Sequence, residues 1–431
     1  MQNLQEPERL KTNFLRSLDQ AEANFWLYDR SSSMNFSVML EGEGNFSEEQ
    51  FRKGLDYVQS KHVLAKAQIL KQVGEDSHLY FARSEKKIPI QKEKYSSDWK
   101  TKLAKETIRL FSLEDSPLIR AILYESEGSK FALGIIFHHS MSDGRSGCHF
   151  LLDVVKASFS EEEVGVPTEP IEFSSLMDLY PAEELYKSDK KSDKPLSVPQ
   201  FQRKNGEADP QIVSLSIEED KLTSLIQNVK QKGMSVHGFL GAVQITAFSK
   251  FFPKHQEGVL YLSTPVDLRP YLSHTVPDSA LGLYISLFTT IVDLRDSFQE
   301  KAMTVIKDIK ARLAKREGRA FYELLPPPEQ FLEREDGMRV FNSLMIRNPQ
   351  SSVISNVGII PDLNIEGLKV KELSFTVHPA LTQKLFTTVT TFENKMTINM
   401  NFDRSRWKTE DMDLFVSSFE DALYKNSGLN R

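Results

Sequence analysis

The sequence predicts two α/β lobes joined by a linker, with a cleft between them as the default site for chemistry. Three observations carry this expectation. At 431 residues the chain is too long for one ordinary core. Both halves mix strand-type alternation with helix-type periodicity in similar proportion, without a close internal repeat. Between them, Tyr186 to Pro210 reads "YKSDKKSDKPLSVPQFQRKNGEADP", rich in Lys, Asp, Ser and Pro and nearly devoid of apolar periodicity. The expected division is an N-terminal lobe over 1–185, a linker over 186–210 and a C-terminal lobe over 211–431.

In the first half, "NFSVMLE" alternates Phe36, Val38 and Leu40 with other residues and reads as a half-buried strand. Ser47 and Gln50 form a capping box for a helix whose inner face is Phe51, Leu55 and Val58. "SHLYFAR" is a short strand. "DWKTKLAKETIRLF" is a helix with Trp99, Leu103 and Leu110 inward. "IRAILYES" and "KFALGIIF" are paired strands around the turn "EGSK", and "CHFLLDVVKASF" is a helix with Phe150, Leu151, Val154 and Val155 on one side.

In the second half, "QIVSLSI" alternates as a strand. Ser216 and Glu219 box the next helix, which carries Leu222, Leu225, Ile226 and Val229. Ser235 caps another with Phe239, Leu240 and Val243 inward. "GVLYLSTPVDLRP" is a buried strand ending in a Pro-flanked loop, and a long helix follows from about Ser297 to Lys315. "SSVISNVGII" is a strand with a turn, and "KLFTTVTTF" and "KMTINMNFD" form a hairpin around Asn394. A last helix places Met412, Phe415, Phe419 and Ala422 on one face.

Composition narrows the functional classes. The net charge is −6 and no long block of like charge occurs, so nucleic-acid binding gains no support. With Cys148 as the single cysteine, no intrachain disulfide can form and a thiolate metal site is excluded. No apolar run is long enough for a membrane span, and "MQNLQEPERLKTNF" lacks an apolar signal region. A reducing, cytoplasmic setting is the expectation. The 28 phenylalanines imply large aromatic cores or apolar channel walls.

Chemistry concentrates in Phe131 to Gly147, "FALGIIFHHSMSDGRSG". The apolar run reads as a strand buried on both faces. His138 and His139 follow it directly. In extended backbone adjacent side chains face opposite ways, so the two cannot readily hold one metal ion, and no HxH or HxxxH spacing occurs elsewhere; no metal is expected. Gly144 allows positive φ or close approach of a ligand to the backbone, and Asp143 can bond within the turn or pair with a cation. The loop can thus hold one imidazole rigidly toward a cleft.

His138-His139-Ser140-Met141-Ser142-Asp143-Gly144 matches HHxxxDG and resembles the signature of the acyltransferase superfamily that contains nonribosomal-peptide condensation domains, alcohol acyltransferases, polyketide-associated acyltransferases and chloramphenicol acetyltransferase. The resemblance extends to "LDQAEANFW", "LDYVQSKHVLAKAQIL", "KGMSVHGFLGAVQITAF", "STPVDLRP" and "SNVG". Ala65 and Lys66 depart from the usual Leu-Arg, and the DFGWG segment of the plant branch is absent. The resemblance implies two chloramphenicol acetyltransferase-like lobes, each a mixed sheet flanked by helices, with a cleft or channel between them. It implies transfer of an acyl group from a thioester, acyl-CoA or a phosphopantetheine-bound acyl-carrier protein, to a hydroxyl or amine, with no permanently bound cofactor and no acyl-enzyme.

By the same resemblance His139 is the general base, a task suited to a neutral imidazole. His138 is structural, Asp143 pairs with Arg269 of "VDLRP" rather than with the imidazole, and Gly144 supports the loop. Arg269 otherwise reads as a solvated loop arginine. Ser355 and Asn356 in "SNVG" are candidate oxyanion donors or substrate contacts, or simply a polar turn. Lys310 to Arg319, "KARLAKREGR", reads as a solvated helix face or a contact for a coenzyme A phosphate. Cys148 reads as a small buried apolar residue. No adenylation segment or carrier serine site flanks these motifs, so a free-standing ester- or amide-former is expected, and the resemblance implies a monomer of secondary metabolism. A stand-alone peptide-type condensation enzyme and a degenerate binding or scaffolding module of the same fold are the alternatives.

Overall fold

A computed structural model describes residues 13–72, 77–111, 117–160, 174–181, 194–201 and 207–429. Five strands form a first sheet in the order Leu368–Val377, Phe36–Gly44, Lys130–Phe137, Ile119–Glu125, Ile90–Lys94. Six form a second, in the order Ile285–Asp293, Val259–Asp267, Ser351–Ile360, Gln383–Phe392, Lys395–Asp403, Pro210–Ile217. Both sheets are mixed, with parallel pairing of Ile90–Lys94 on Ile119–Glu125 and of Ser351–Ile360 on two neighbours. A small third sheet joins Phe14–Ser17, His78–Arg83 and Ala67–Gln72. Each large sheet has its own apolar core, and the two-lobed α/β reading holds.

Phe36–Gly44 is not half-buried as its alternation suggested. It lies between two strands, with helix Gly144–Phe159 against Phe36 and Val38 and the end of helix Trp99–Thr107 against Ser37, so residues 36–40 are all buried. The expected pairing of Ile119–Glu125 with Lys130–Phe137 forms, antiparallel. Gly134 leaves room for Leu103, whose nearest carbon would stand 2.5 Å from a Cβ there. Leu110 lies beyond the end of its helix at Thr107 and is 43% exposed, not inward.

Leu368–Val377 comes from the second half of the chain yet pairs antiparallel with Phe36–Gly44, Val377 opposite Phe36. The division at the linker is therefore crossed by one strand. Much of that linker, 186–193 and 202–206, lies outside the described residues. What is described of it is not a free spacer: the Leu196 N–H donates to the Val259 carbonyl at 2.9 Å, Val198 and Phe201 are buried in the second core, and Pro210 opens a strand.

The capping box at Ser47 forms and Ser235 caps its helix; Ser297 and Glu300 add a box the sequence reading does not name. Ser216 does not. It stays in its strand opposite Thr397, and Glu218 becomes the N-cap of Glu219–Gln231. "SSVISNVGII" is one strand whose register slips between Asn356 and Ile359, where Gly358 takes φ +78°, a bulge rather than a turn. Among the described residues no helix is long and apolar enough to cross a membrane.

Candidate active site

The strand Lys130–Phe137 delivers the chain to the lobe boundary, and the loop after it is fixed at both ends. Asp143 caps helix Gly144–Phe159 by accepting from the Ser146 N–H at 3.0 Å, and the Asp143 N–H donates to Ser146 Oγ at 3.2 Å. Ser140 Oγ donates to the Glu22 carbonyl at 2.7 Å, tying the loop to helix Gln20–Ser32. His138 is turned inward and fully buried. Its Nδ1 accepts from the Ser140 N–H at 3.2 Å, which places the ring proton on Nε2, 3.5 Å from Asp29 Oδ2.

His139 faces the other way. Its ring lies 4.7 Å from that of Phe25 and 4.9 Å from that of Phe36, it is 6% exposed, and its Nδ1 has no hydrogen-bond partner. Burial pushes its pKa down to about 4. The backbone carbonyls of His139 and Ser142 and the charge of Asp143 favour the imidazolium, but by less. The ring is neutral at ordinary pH.

Asp143 is fully engaged elsewhere. Besides the cap, its Oδ2 accepts from the Tyr284 N–H at 3.1 Å and lies 3.0 Å from Arg269 Nη2. Arg269 is buried, pairs also with Asp267 at 3.0 Å and stacks over the Tyr284 ring at 4.8 Å. Burial disfavours its charge, yet Asp143 and Asp267 together raise its pKa. It is no solvated loop arginine. Gly144 serves differently from the expectation. It is helical, without positive φ, and what approaches it is protein: a Cβ there would sit 3.0 Å from Phe375 and 3.3 Å from Val357.

A cavity of about 420 Å³ opens between the lobes, with His139, Asp143 and Gly144 on one wall and Ser355, Asn356 and Thr264 among those opposite. The bulge after Asn356 lies at this cavity, which Val357 and Gly358 also line, and Asn356 Oδ1 accepts from the Gly358 N–H at 2.9 Å. The structure thus brings together all the residues singled out in the motif and "SNVG", except His138, which lies behind the loop. Lys310 reaches this cavity; the rest of its basic run does not line it. Cys148 is buried, and burial pushes its thiol pKa up, which leaves it unreactive.

Three contributors escaped the sequence reading. Arg145, directly after the motif, forks onto Asp278 with two contacts of 2.7 Å and donates to the Val357 carbonyl at 2.8 Å, clamping the cavity rim. His237, beside the cap at Ser235, bonds Thr264 Oγ1 at 3.1 Å and lines the cavity. Phe25 packs on the His139 ring. Adjacency to the motif alone distinguished Arg145, while His237 and Phe25 lie inside "KGMSVHGFLGAVQITAF" and "LDQAEANFW" without having been singled out there. A second cavity, of about 370 Å³, lies beyond Phe25. Among the described residues no cluster of three or more His, Cys, Asp or Glu side chains is arranged to hold a metal ion.

Residues 206–423 match the family described as phthiocerol/phthiodiolone dimycocerosyl transferase C-terminus. Similar solved structures include polyketide synthase associated protein 5 from Mycobacterium tuberculosis, at 13% identity over 97% of this chain and 99% of that one, TM-score 0.67. Trichothecene 15-O-acetyltransferase from Fusarium sporotrichioides is 12% identical over 95% of each chain, TM-score 0.71. The first condensation domain of the calcium-dependent antibiotic synthetase is 14% identical over 97% of this chain and 98% of that one, TM-score 0.70. Surfactin synthase subunit 2 of Bacillus subtilis (strain 168) matches at 28% identity over 138 residues, which is 32% of this chain and only 4% of that protein.

Proposed function

The chain belongs to the family described as phthiocerol/phthiodiolone dimycocerosyl transferase C-terminus, and on that premise we propose that it is an acyltransferase moving an acyl group from a thioester, acyl-CoA or acyl-carrier protein, to a hydroxyl or amine acceptor. The observation that carries the reading is a buried, neutral imidazole on the wall of an interlobe cavity, without a carboxylate partner because its neighbouring aspartate is consumed by an arginine.

A hydroxyl is a poor nucleophile until its proton leaves as it attacks. His139 takes that proton as the oxygen bonds to the thioester carbonyl carbon. The carbonyl π pair moves onto oxygen, where Ser355 and the Asn356 amide are the donors available to receive the charge. Collapse restores the carbonyl, breaks the C–S bond and expels the thiolate, which takes the proton back from His139. Ester or amide and free thiol result, His139 is regenerated, and no covalent enzyme intermediate or resident cofactor enters. Asp143 and Arg269 hold the loop, and His138 anchors it from behind.

The test is thiol release from a panel of acyl-CoA and acyl-pantetheine thioesters, with alcohols and then amines as acceptors. Consumption in the wild type with a roughly 10²–10⁴-fold lower rate in His139→Ala is the expected result. A variant as fast as the wild type removes the base assignment; no thioester consumed with any acceptor removes the activity. Preference for an amine would favour amide-forming condensation.

A further inference from the structure

Five ionised side chains line the interlobe cavity, and four of them are matched within the protein. Arg269 stands 3.0 Å from Asp143 and 3.0 Å from Asp267, and Arg145 forks onto Asp278. The fifth, Lys310, is exposed on helix Phe298–Ala314 and has no hydrogen-bond or ion-pair partner among the described residues. That helix packs on the start of helix Val236–Phe248, where a Cβ on Gly238 would lie 2.5 Å from Ile306. His237 and Ser235, next to this contact in sequence, line the cavity as well. The Nε2 of His237 bonds Thr264 Oγ1 at 3.1 Å, while its Nδ1 has no hydrogen-bond partner among the described residues. Ser235 Oγ accepts from the Gly238 N–H at 3.1 Å, and no acceptor among the described residues takes its own proton.

We propose that Lys310, His237 and Ser235 form a carboxylate subsite, and that the acceptor is a small hydroxy or amino acid whose carboxylate lies there while its hydroxyl or amine meets His139. This rests on the acyl-transfer reading above and adds the acceptor class. Charge assigns the occupant. With the other four ions matched, the unpaired ammonium is completed by one anion. A carboxylate accepts from it, from Ser235, and from the His237 tautomer that carries its proton on Nδ1 while Thr264 Oγ1 donates to Nε2. Size assigns the source. His139 and Lys310 border one space of about 420 Å³, which encloses a small molecule whole. The phosphate of a thiol carrier lies a full pantetheine arm from its sulfur, so it does not share that space with a carbonyl held at His139. Ile306 and Ile309, also on this wall, supply apolar cover for the carbon skeleton.

Binding is read first, without turnover. The full chain is labelled with carbon-13 at the histidine Cε1 positions, and the His237 signal is identified by its loss in His237→Leu. It is titrated with pH alone, and then with 6-hydroxyhexanoate, its methyl ester or coenzyme A present. Burial alone holds this ring near 4, so an anion beside it is expected to raise the midpoint toward the ordinary 6.5. The hydroxy acid should do so and the ester should not, and Lys310→Met should weaken the acid roughly tenfold. No response to the acid, or equal responses to acid and ester, overturns the subsite. A response to coenzyme A but not to the acid gives the site to the carrier's phosphate and overturns the acceptor class. Turnover is read second, as the ratio of kcat/KM for the hydroxy acid over its methyl ester, with an acyl-CoA that the thiol-release screen shows to be consumed. The ratio should exceed one and fall roughly tenfold in Lys310→Met, whatever the absolute rates; a wild-type ratio of one overturns the proposal. The binding result holds even where no thioester is cleaved, so failure of the activity and failure of the subsite are told apart.

Discussion

The His139 imidazole titrates far from its solution range because burial, not a charged partner, dominates it. The neutral form is the base, so activity is present above the folded pKa and lost as pH falls through it. The expected profile of log kcat/KM is flat from neutral pH down and breaks at about 4 rather than near 6.5. Initial rates across that range check it, and a break near the ordinary histidine value would mean the ring is solvated during turnover. His62 and His237 are likewise held near 4 by burial. The unfolded chain protonates all three first, so stability falls as pH drops below about 6.5 and rates must be taken before unfolding. At this scale the sequence disclosed residues that meet at one cavity and, by resemblance, the Asp143–Arg269 pair, but not their other partners. HHxxxDG pointed to His139, but the Asp143–Tyr284 bond and the crowding of Gly144 by Phe375 depend on chain distant in sequence.

Elements follow the local code where neighbours leave them alone. The boxes at Ser47 and Ser297 form because both members are free to turn back; the one read at Ser216 fails because a strand claims it. The hairpin at Asn394 forms with positive φ at Glu393 and Asn394. Alternation gives a strand but not how many of its faces are covered, so Phe36–Gly44 read as half-buried. The strand Gln383–Phe392 carries the opposite anomaly, a lysine in the core. Lys384 is 1% exposed, its Nζ has no hydrogen-bond partner and stands 5.2 Å over the Phe248 ring, and burial pushes its pKa down to about 7. The unfolded lysine binds its proton below about 10.5, so the penalty grows as pH falls from there to about 7 and is constant below. Lys384→Met is therefore expected to stabilise the protein by about 2–4 kcal/mol at pH 7, and by little at pH 10.5, read from urea midpoints at the two values. Destabilisation at both would show that the amine is engaged.

Across the whole molecule, the ionic contacts that join the motif loop to the second lobe include Asp143 with Arg269 and Arg145 with Asp278. The first is buried on both sides, the second half-exposed, so they are not equal. Arg269→Met strands a buried carboxylate and should cost about 3–5 kcal/mol, whereas Asp143→Asn keeps its place at the helix end and costs less. The pair of changes together should cost less than their sum, and additivity in a double-mutant cycle of denaturation would show that the two do not act on each other. Two α/β lobes were legible from period and composition, and their mixed sheets from the resemblance. Which sheet each strand joins was not, because alternation carries no address. Leu368–Val377 is the case in point, and it bears on how the protein is made. During synthesis Phe36–Gly44 acquires this neighbour only after the intervening chain from Asn45 to Gly367 has been translated. Until then the nascent first sheet presents an open, apolar edge, a period in which it depends on chaperones or on speed to avoid joining another chain.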